Sequence, residues 1–107
     1  MQKDIHNASV DRLYTTIAHL NSAEECRAFF EDLCTVKEIR DMAQRLDTAI
    51  LLDAGKTYEQ IAGRIGISTA TISRVSRALS YGADGYRRAL EEMPATEKEA
   101  VAHELLR

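Results

Sequence analysis

The sequence predicts an all-α fold, a helical bundle that carries a helix-turn-helix. Three observations lead there. Apolar residues recur at three- and four-residue spacing, Ser/Thr-x-x-Glu/Gln boxes recur just ahead of the apolar runs, and strand-type alternation is absent throughout.

The first helix is read from Val10, Leu13, Tyr14, Ile17 and Leu20. In "NSAEECRAFFEDLC", Ser22 and Glu25 form a box that starts the second, with Cys26, Phe29, Phe30 and Leu33 on its apolar face. Thr35 and Glu38 repeat the box, and a third helix follows through Ile39, Met42, Ala43, Leu46, Ala49, Ile50 and Leu52 to a stop at Gly55. Its last turns, "AILLDAG", are apolar on more than one side, so something beyond a single packing face is expected to cover them. A central helix of a bundle and a dimer core fit this equally well.

The stretch "TYEQIAGRIGISTATISRVSRAL" reads as two short helices about a tight turn. Thr57 caps the first with Gln60 reciprocal; Ile61, Ala62 and Ile65 face inward; Gly66 turns the chain; Ser68 caps the second, whose Ile72 and Val75 face inward. What remains outward on the second helix is Ser68, Thr69, Ala70, Thr71, Ser73, Arg74 and Arg77, small, hydroxyl-bearing and basic, with no carboxylate. Such a helix can enter a major groove, where short side chains permit close approach and arginine pairs with guanine. Lys56, Thr57 and Tyr58, at the start of the pair, complete the expected DNA-contact set. After Pro94 a final helix is expected, capped by Thr96 and Glu99, in an acidic tail.

The chain has 107 residues, which allows one small domain, with dimerisation helices over 1–55, the helix-turn-helix over 56–80 and C-terminal helices over 83–107. Hydrophobic residues at 45% and charged residues at 29% are ordinary for a folded domain. The net charge of −3 is not that of a typical nucleic-acid binder. Between Lys56 and Arg88, however, six basic side chains face two acidic ones, a local +4 that leaves −7 for the rest. That contrast keeps a second reading open, a helical adaptor that uses the same pair for protein contact.

Catalysis and cofactors find no support. His6, His19 and His103 are scattered without metal-ligand spacing, and no Ser, His and acid set or glycine-rich phosphate loop is evident. Cys26 and Cys34 stand eight apart on one helix, a rise of about 12 Å that a disulfide cannot bridge. No run approaches the ~20 apolar residues a membrane helix needs, and "MQKDIHNASVDRL" lacks a signal-peptide core. A cytoplasmic protein with no membrane partner is expected.

Three segments, "TVKEIRDMAQRL", "LLDAGKTYEQIAGRIGISTATISRVSRAL" and "YRRALEEM", resemble the Trp repressor superfamily, most closely its small bacterial members without an assigned effector. The resemblance implies an intertwined homodimer that exchanges its N-terminal helices and the helix after the motif, and presents two reading heads to double-stranded DNA as a transcriptional regulator, a repressor by analogy. It also implies a corepressor pocket at Thr35, Arg45, Arg74, Val75 and Ala78, with the ligand between the two arginines and Thr35 at its amino end. Here the chain departs from the family, which has glycine at the position of Val75 and serine at that of Ala78. Those departures predict a vestigial pocket and no response to tryptophan. Read alone, Arg45 is a solvated helix charge.

Overall fold

Five helices among the described residues start at side chains that accept from the first free amides. The computed structural model describes residues 6–106, and among them are seven α-helices and no strand. Residues 1–5, part of the stretch where no signal-peptide core is expected, lie outside the described residues. Asn7 Oδ1 accepts from Val10 N at 2.8 Å and opens α1, Ala8–Ala18. Ser22 Oγ accepts from Glu25 N at 3.1 Å and opens α2, Ala23–Leu33. The Glu25 carboxylate reaches back to the amide of Asn21 rather than to that of Ser22, one residue beyond the expected box. Ahead of α3, Val36–Asp53, the Thr35–Glu38 box is complete, at 3.1 Å and 2.8 Å. Gly55, at φ +85°, then turns the chain out of helical geometry.

Beyond it lie α4 (Tyr58–Ile65), α5 (Thr69–Tyr81), α6 (Gly85–Glu92) and α7 (Ala95–Leu106). The last begins one residue ahead of the expected Thr96 cap, so Thr96 sits inside the first turn. The carbonyl of Pro94 accepts from Glu97 N and Lys98 N instead, because a proline can start a helix without an amide of its own.

The chain forms two compact units, the first ending at Ile39 and the second starting at Arg40, inside α3. In the second, Leu51, Ile61 and Ile72 are wholly buried in one cluster. Leu52, Ala62, Ile65 and Ile67 pack on it, and so do Val101 and Ala102 of α7, a helix that lies against α4. Burial of side chains this size is worth about 1.5 to 3 kcal/mol each. The run Thr48, Ala49, Ile50 and Leu51 is buried on successive helical positions, and the Thr48 hydroxyl is satisfied by Gln44 O at 2.7 Å. The apolar end of α3 is thus covered within its own chain, as the central-helix reading of that segment expects.

Burial is least in the helices of the first unit. Neither α1 nor α2 has a buried residue. Leu13, Ile17, Phe29 and Phe30 are half-buried, while Tyr14, Leu33 and Val36 are exposed. Phe29 and Phe30 meet edge to face at 6.0 Å. Cys26 and Cys34 are both free thiols.

One carboxyl of the second unit is perturbed. Burial, and then the neighbouring charge of Glu104 on α7, raise the pKa of Asp47 above its usual 3.8. A raised folded-state value means that stability is full at acid pH and is lost as pH rises through that value. Asp47→Asn should therefore raise the melting temperature at pH 7 and leave it unchanged below the ordinary carboxyl range, as read by thermal unfolding at the two pH values.

Candidate nucleic-acid interface

The site is built on the turn between α4 and α5. The Thr57–Gln60 box fixes the start of α4, with Gln60 N donating to Thr57 Oγ1 at 3.2 Å and Thr57 N to Gln60 Oε1 at 2.9 Å. At its end Gly66 lies at φ +81°, ψ +25°, and its N–H closes on Ala62 O at 3.1 Å. A side chain there would be strained whatever room it had, so glycine is what allows so short a turn. Half-buried Ala62 and Ile65 let the two helices meet over Ile61.

Ser68 caps α5 by accepting from Thr71 N at 3.1 Å, and its Oγ also pairs with Thr71 Oγ1 at 3.0 Å. The two hydroxyls are occupied with each other, and Thr71 is half-buried. Of the expected outward set, Thr69, Ala70, Ser73, Arg74 and Arg77 are exposed and uninvolved in the cap. Ile72 and Val75, at 0% and 2% exposure, and half-buried Leu79 form the inward stripe. At 3.6 residues per turn, Arg77 and Arg74 lie about 140° and 200° around the helix from Ile72. They are on the opposite side. Ala70, Ser73, Arg74 and Arg77, at successive spacings of three, one and three, line an open hollow along that side.

The electrostatics follow from composition. No Asp or Glu occurs in α5, and α6 adds exposed Arg87 and Arg88. At the front of α4, Lys56 is half-buried and Tyr58 exposed, while Thr57 serves its box.

One feature of this face escaped the reading of the sequence. Tyr81, the last residue of α5, is 87% exposed. It stands four residues after Arg77 and seven after Arg74, a spacing that places it on the same stripe.

The expected corepressor residues do not converge within one unit. Thr35 belongs to the first unit, where its hydroxyl accepts from Glu38 N. Arg45, Arg74, Val75 and Ala78 belong to the second, with Arg45 exposed and Val75 turned into the core. The hollow beside Arg74 is lined by neither Val75 nor Ala78. Among the described residues no three His, Cys, Asp or Glu side chains gather as a metal site, and no helix is long and apolar enough to cross a membrane.

Comparison with known proteins agrees with this architecture. Residues 8–94 match the family model described as Trp repressor protein, which leaves α7 outside the matched segment. The uncharacterized protein YerC of Bacillus subtilis (strain 168) is 48% identical over 101 residues, 94% of this chain and 97% of YerC. The crystal structure of a candidate Trp repressor from Staphylococcus aureus is 46% identical, with a TM-score of 0.78 over 83% of this chain and 89% of that one. A TrpR-like protein from Eubacterium eligens ATCC 27750, also 46% identical, gives 0.75 over 79% and 88%. With its two capped helices, its glycine turn and a match that spans most of its length, the chain belongs to the Trp repressor family.

Proposed function

We propose that the protein is a homodimeric transcriptional regulator, a repressor, that reads the major groove of double-stranded DNA with α5. The observation that carries this is the two-sided character of α5. One side is locked into the core through Ile72 and Val75, and the opposite side offers Arg74 and Arg77 with small neighbours and no acid. Phosphates and base edges are the partner that such a side fits. Lys56, Thr57 and Tyr58, at the start of α4, are the further contacts of this reading, and Thr69, Ala70 and Ser73 supply close approach. Ser68 and Thr71 act first as the cap that aims the helix.

Dimerisation is supported by the first unit. A pair of helices with apolar faces and no buried residue cannot supply its own core, and a second copy of the chain offers the same faces in return. Mobility shift on random genomic fragments over a salt series tests the reading. DNA binding through phosphates must weaken as salt rises. Absence of any shift at low salt would reject it and favour the adaptor. Sedimentation of the free protein should give twice the chain mass, and its unfolding should depend on concentration.

Tryptophan is not the effector in this reading. Val75 fills space with a branched side chain that is already part of the core, and an indole placed there would overpack the site at a cost of about 1 to 3 kcal/mol. Calorimetric titration with tryptophan to millimolar concentration should give no saturable heat, and DNA affinity should not change on its addition. Saturable heat with a matching gain in DNA affinity would contradict this.

A further inference from the structure

The reading helix does not end where its arginines end. Ala70, Arg74, Arg77 and Tyr81 fall within about 60° of one another around α5, opposite Ile72, Val75 and Leu79, and so form one ridge along the whole helix. Tyr81 closes that ridge. At 87% exposure its ring packs on almost nothing, although a tyrosine of this kind is a large apolar body with one hydroxyl.

The rise of the helix separates the positions by function. Measured from Ala70 at 1.5 Å per residue, Arg74 is about 6 Å along the axis, Arg77 about 10 Å and Tyr81 about 16 Å. A major groove is about 8.5 Å deep. A helix that enters with its N-terminal residues against the bases keeps Arg74 within reach of base edges and brings Arg77 and Tyr81 to the walls, where the phosphates are. The C-terminal end of a helix is electronegative and repels phosphate unless side chains supply donors. Arg77 supplies a charge and Tyr81 a neutral hydroxyl. The chain has no acid between Glu59 and Asp84 to oppose them.

We propose that Tyr81 is a DNA-backbone contact whose hydroxyl donates to a phosphate oxygen, and that with Arg77 it forms the sequence-independent end of a ridge whose sequence-reading end is Thr69–Arg74. The assignment rests on α5 being the DNA reader and divides that helix into two kinds of contact. A second copy of the chain is the other occupant available to so exposed a ring, and the experiment separates the two.

Equilibrium binding of the full-length chain to a random-sequence duplex pool, over a salt series, is the test. Tyr81→Phe should weaken binding about three- to ten-fold, the loss of one hydrogen bond, and leave the salt slope unchanged because a phenol displaces no counterion. Arg77→Ala should weaken binding and reduce the slope by about 0.9, one phosphate neutralisation. Wild-type affinity in both Tyr81→Phe and Tyr81→Ala would overturn the assignment while leaving DNA reading in place. A fall in the sedimentation mass of Tyr81→Ala would overturn it too, placing the ring in a subunit interface. Failure of the unmodified chain to bind the pool at low salt would overturn the DNA reading itself and this assignment with it.

Discussion

Ile72→Ala lowers the unfolding free energy by about 2 to 5 kcal/mol, the range for emptying a large aliphatic site in a packed core. Ile72 has no exposed surface and shares one cluster with Leu51 of α3 and Ile61 of α4, so the cavity opens where three helices meet. Set against a typical total of about 5 to 15 kcal/mol, such a loss moves the melting temperature down by on the order of 10 to 30 °C. Denaturant unfolding at fixed protein concentration measures it. A loss below about 1 kcal/mol would show that the helix-turn-helix is not anchored through Ile72 and would remove the reason for its rigid aim. Because α5 is the anchored helix, its outward side chains are presented in one fixed direction.

The second large effect comes from two residues on that opposite side. Arg74→Ala combined with Arg77→Ala should leave the melting temperature near that of the unmodified protein, since both side chains are exposed. DNA affinity should fall by about 2 to 5 kcal/mol, roughly thirty- to several-thousand-fold. The parts should differ in kind. Loss of Arg74 relaxes sequence preference, whereas loss of Arg77 weakens binding to every sequence alike and flattens the salt dependence. Unchanged affinity in the folded double variant would remove α5 as the reader. The contrast with Ile72 is the sharper check, because the substitutions lie within five residues on one helix and are expected to separate stability from binding.

Local chemistry made much of this legible before any coordinates. A hydroxyl ahead of an apolar run, with a Glu or Gln three residues on, specifies a helix start by hydrogen bonds that span only three residues, and Thr35 and Thr57 cap in this way while Ser68 caps with Thr71 in the third place. Gly66 was legible for the same reason, as a turn that short requires a left-handed residue. The inward residues of α5 followed from helical period. Long-range packing was harder to read. In "AILLDAG" the first four positions are all apolar, so periodicity does not single out Leu51, and only the tertiary structure shows that α3 is surrounded there by its own chain. The start of α7 lies two residues ahead of the one a Thr96 cap implies, because the carbonyl of Pro94 takes the first amides. Within the interface, Arg74 and Arg77 stood out by charge. Thr71 reads as an outward hydroxyl in the sequence but is paired with Ser68, and Tyr81 carries no charge to mark it, so its exposure is visible only in the structure. Helical spacing from Arg77 was the signal that could have found it.

The acidic balance of the chain bears on how such a protein meets DNA. With +4 between Lys56 and Arg88 and −7 elsewhere, the rest of the surface is repelled by phosphate, so the proposed reading has the molecule meet DNA through one region. Duplication of that region in a dimer doubles the favourable contacts without lifting the repulsion at other orientations. This favours a bidentate, oriented complex over general adhesion to nucleic acid.

Hydroxyl-radical footprinting on a duplex selected from a random pool by the protein itself tests that account most directly. Two-fold dimers of helix-turn-helix proteins, Trp repressors among them, place their reading helices about 34 to 36 Å apart, one turn of DNA. Two protected patches related by two-fold symmetry are expected at that spacing, facing one side of the duplex, and lost together in the Arg74→Ala, Arg77→Ala variant. A single patch, protection without symmetry, or no selected sequence at all would contradict it.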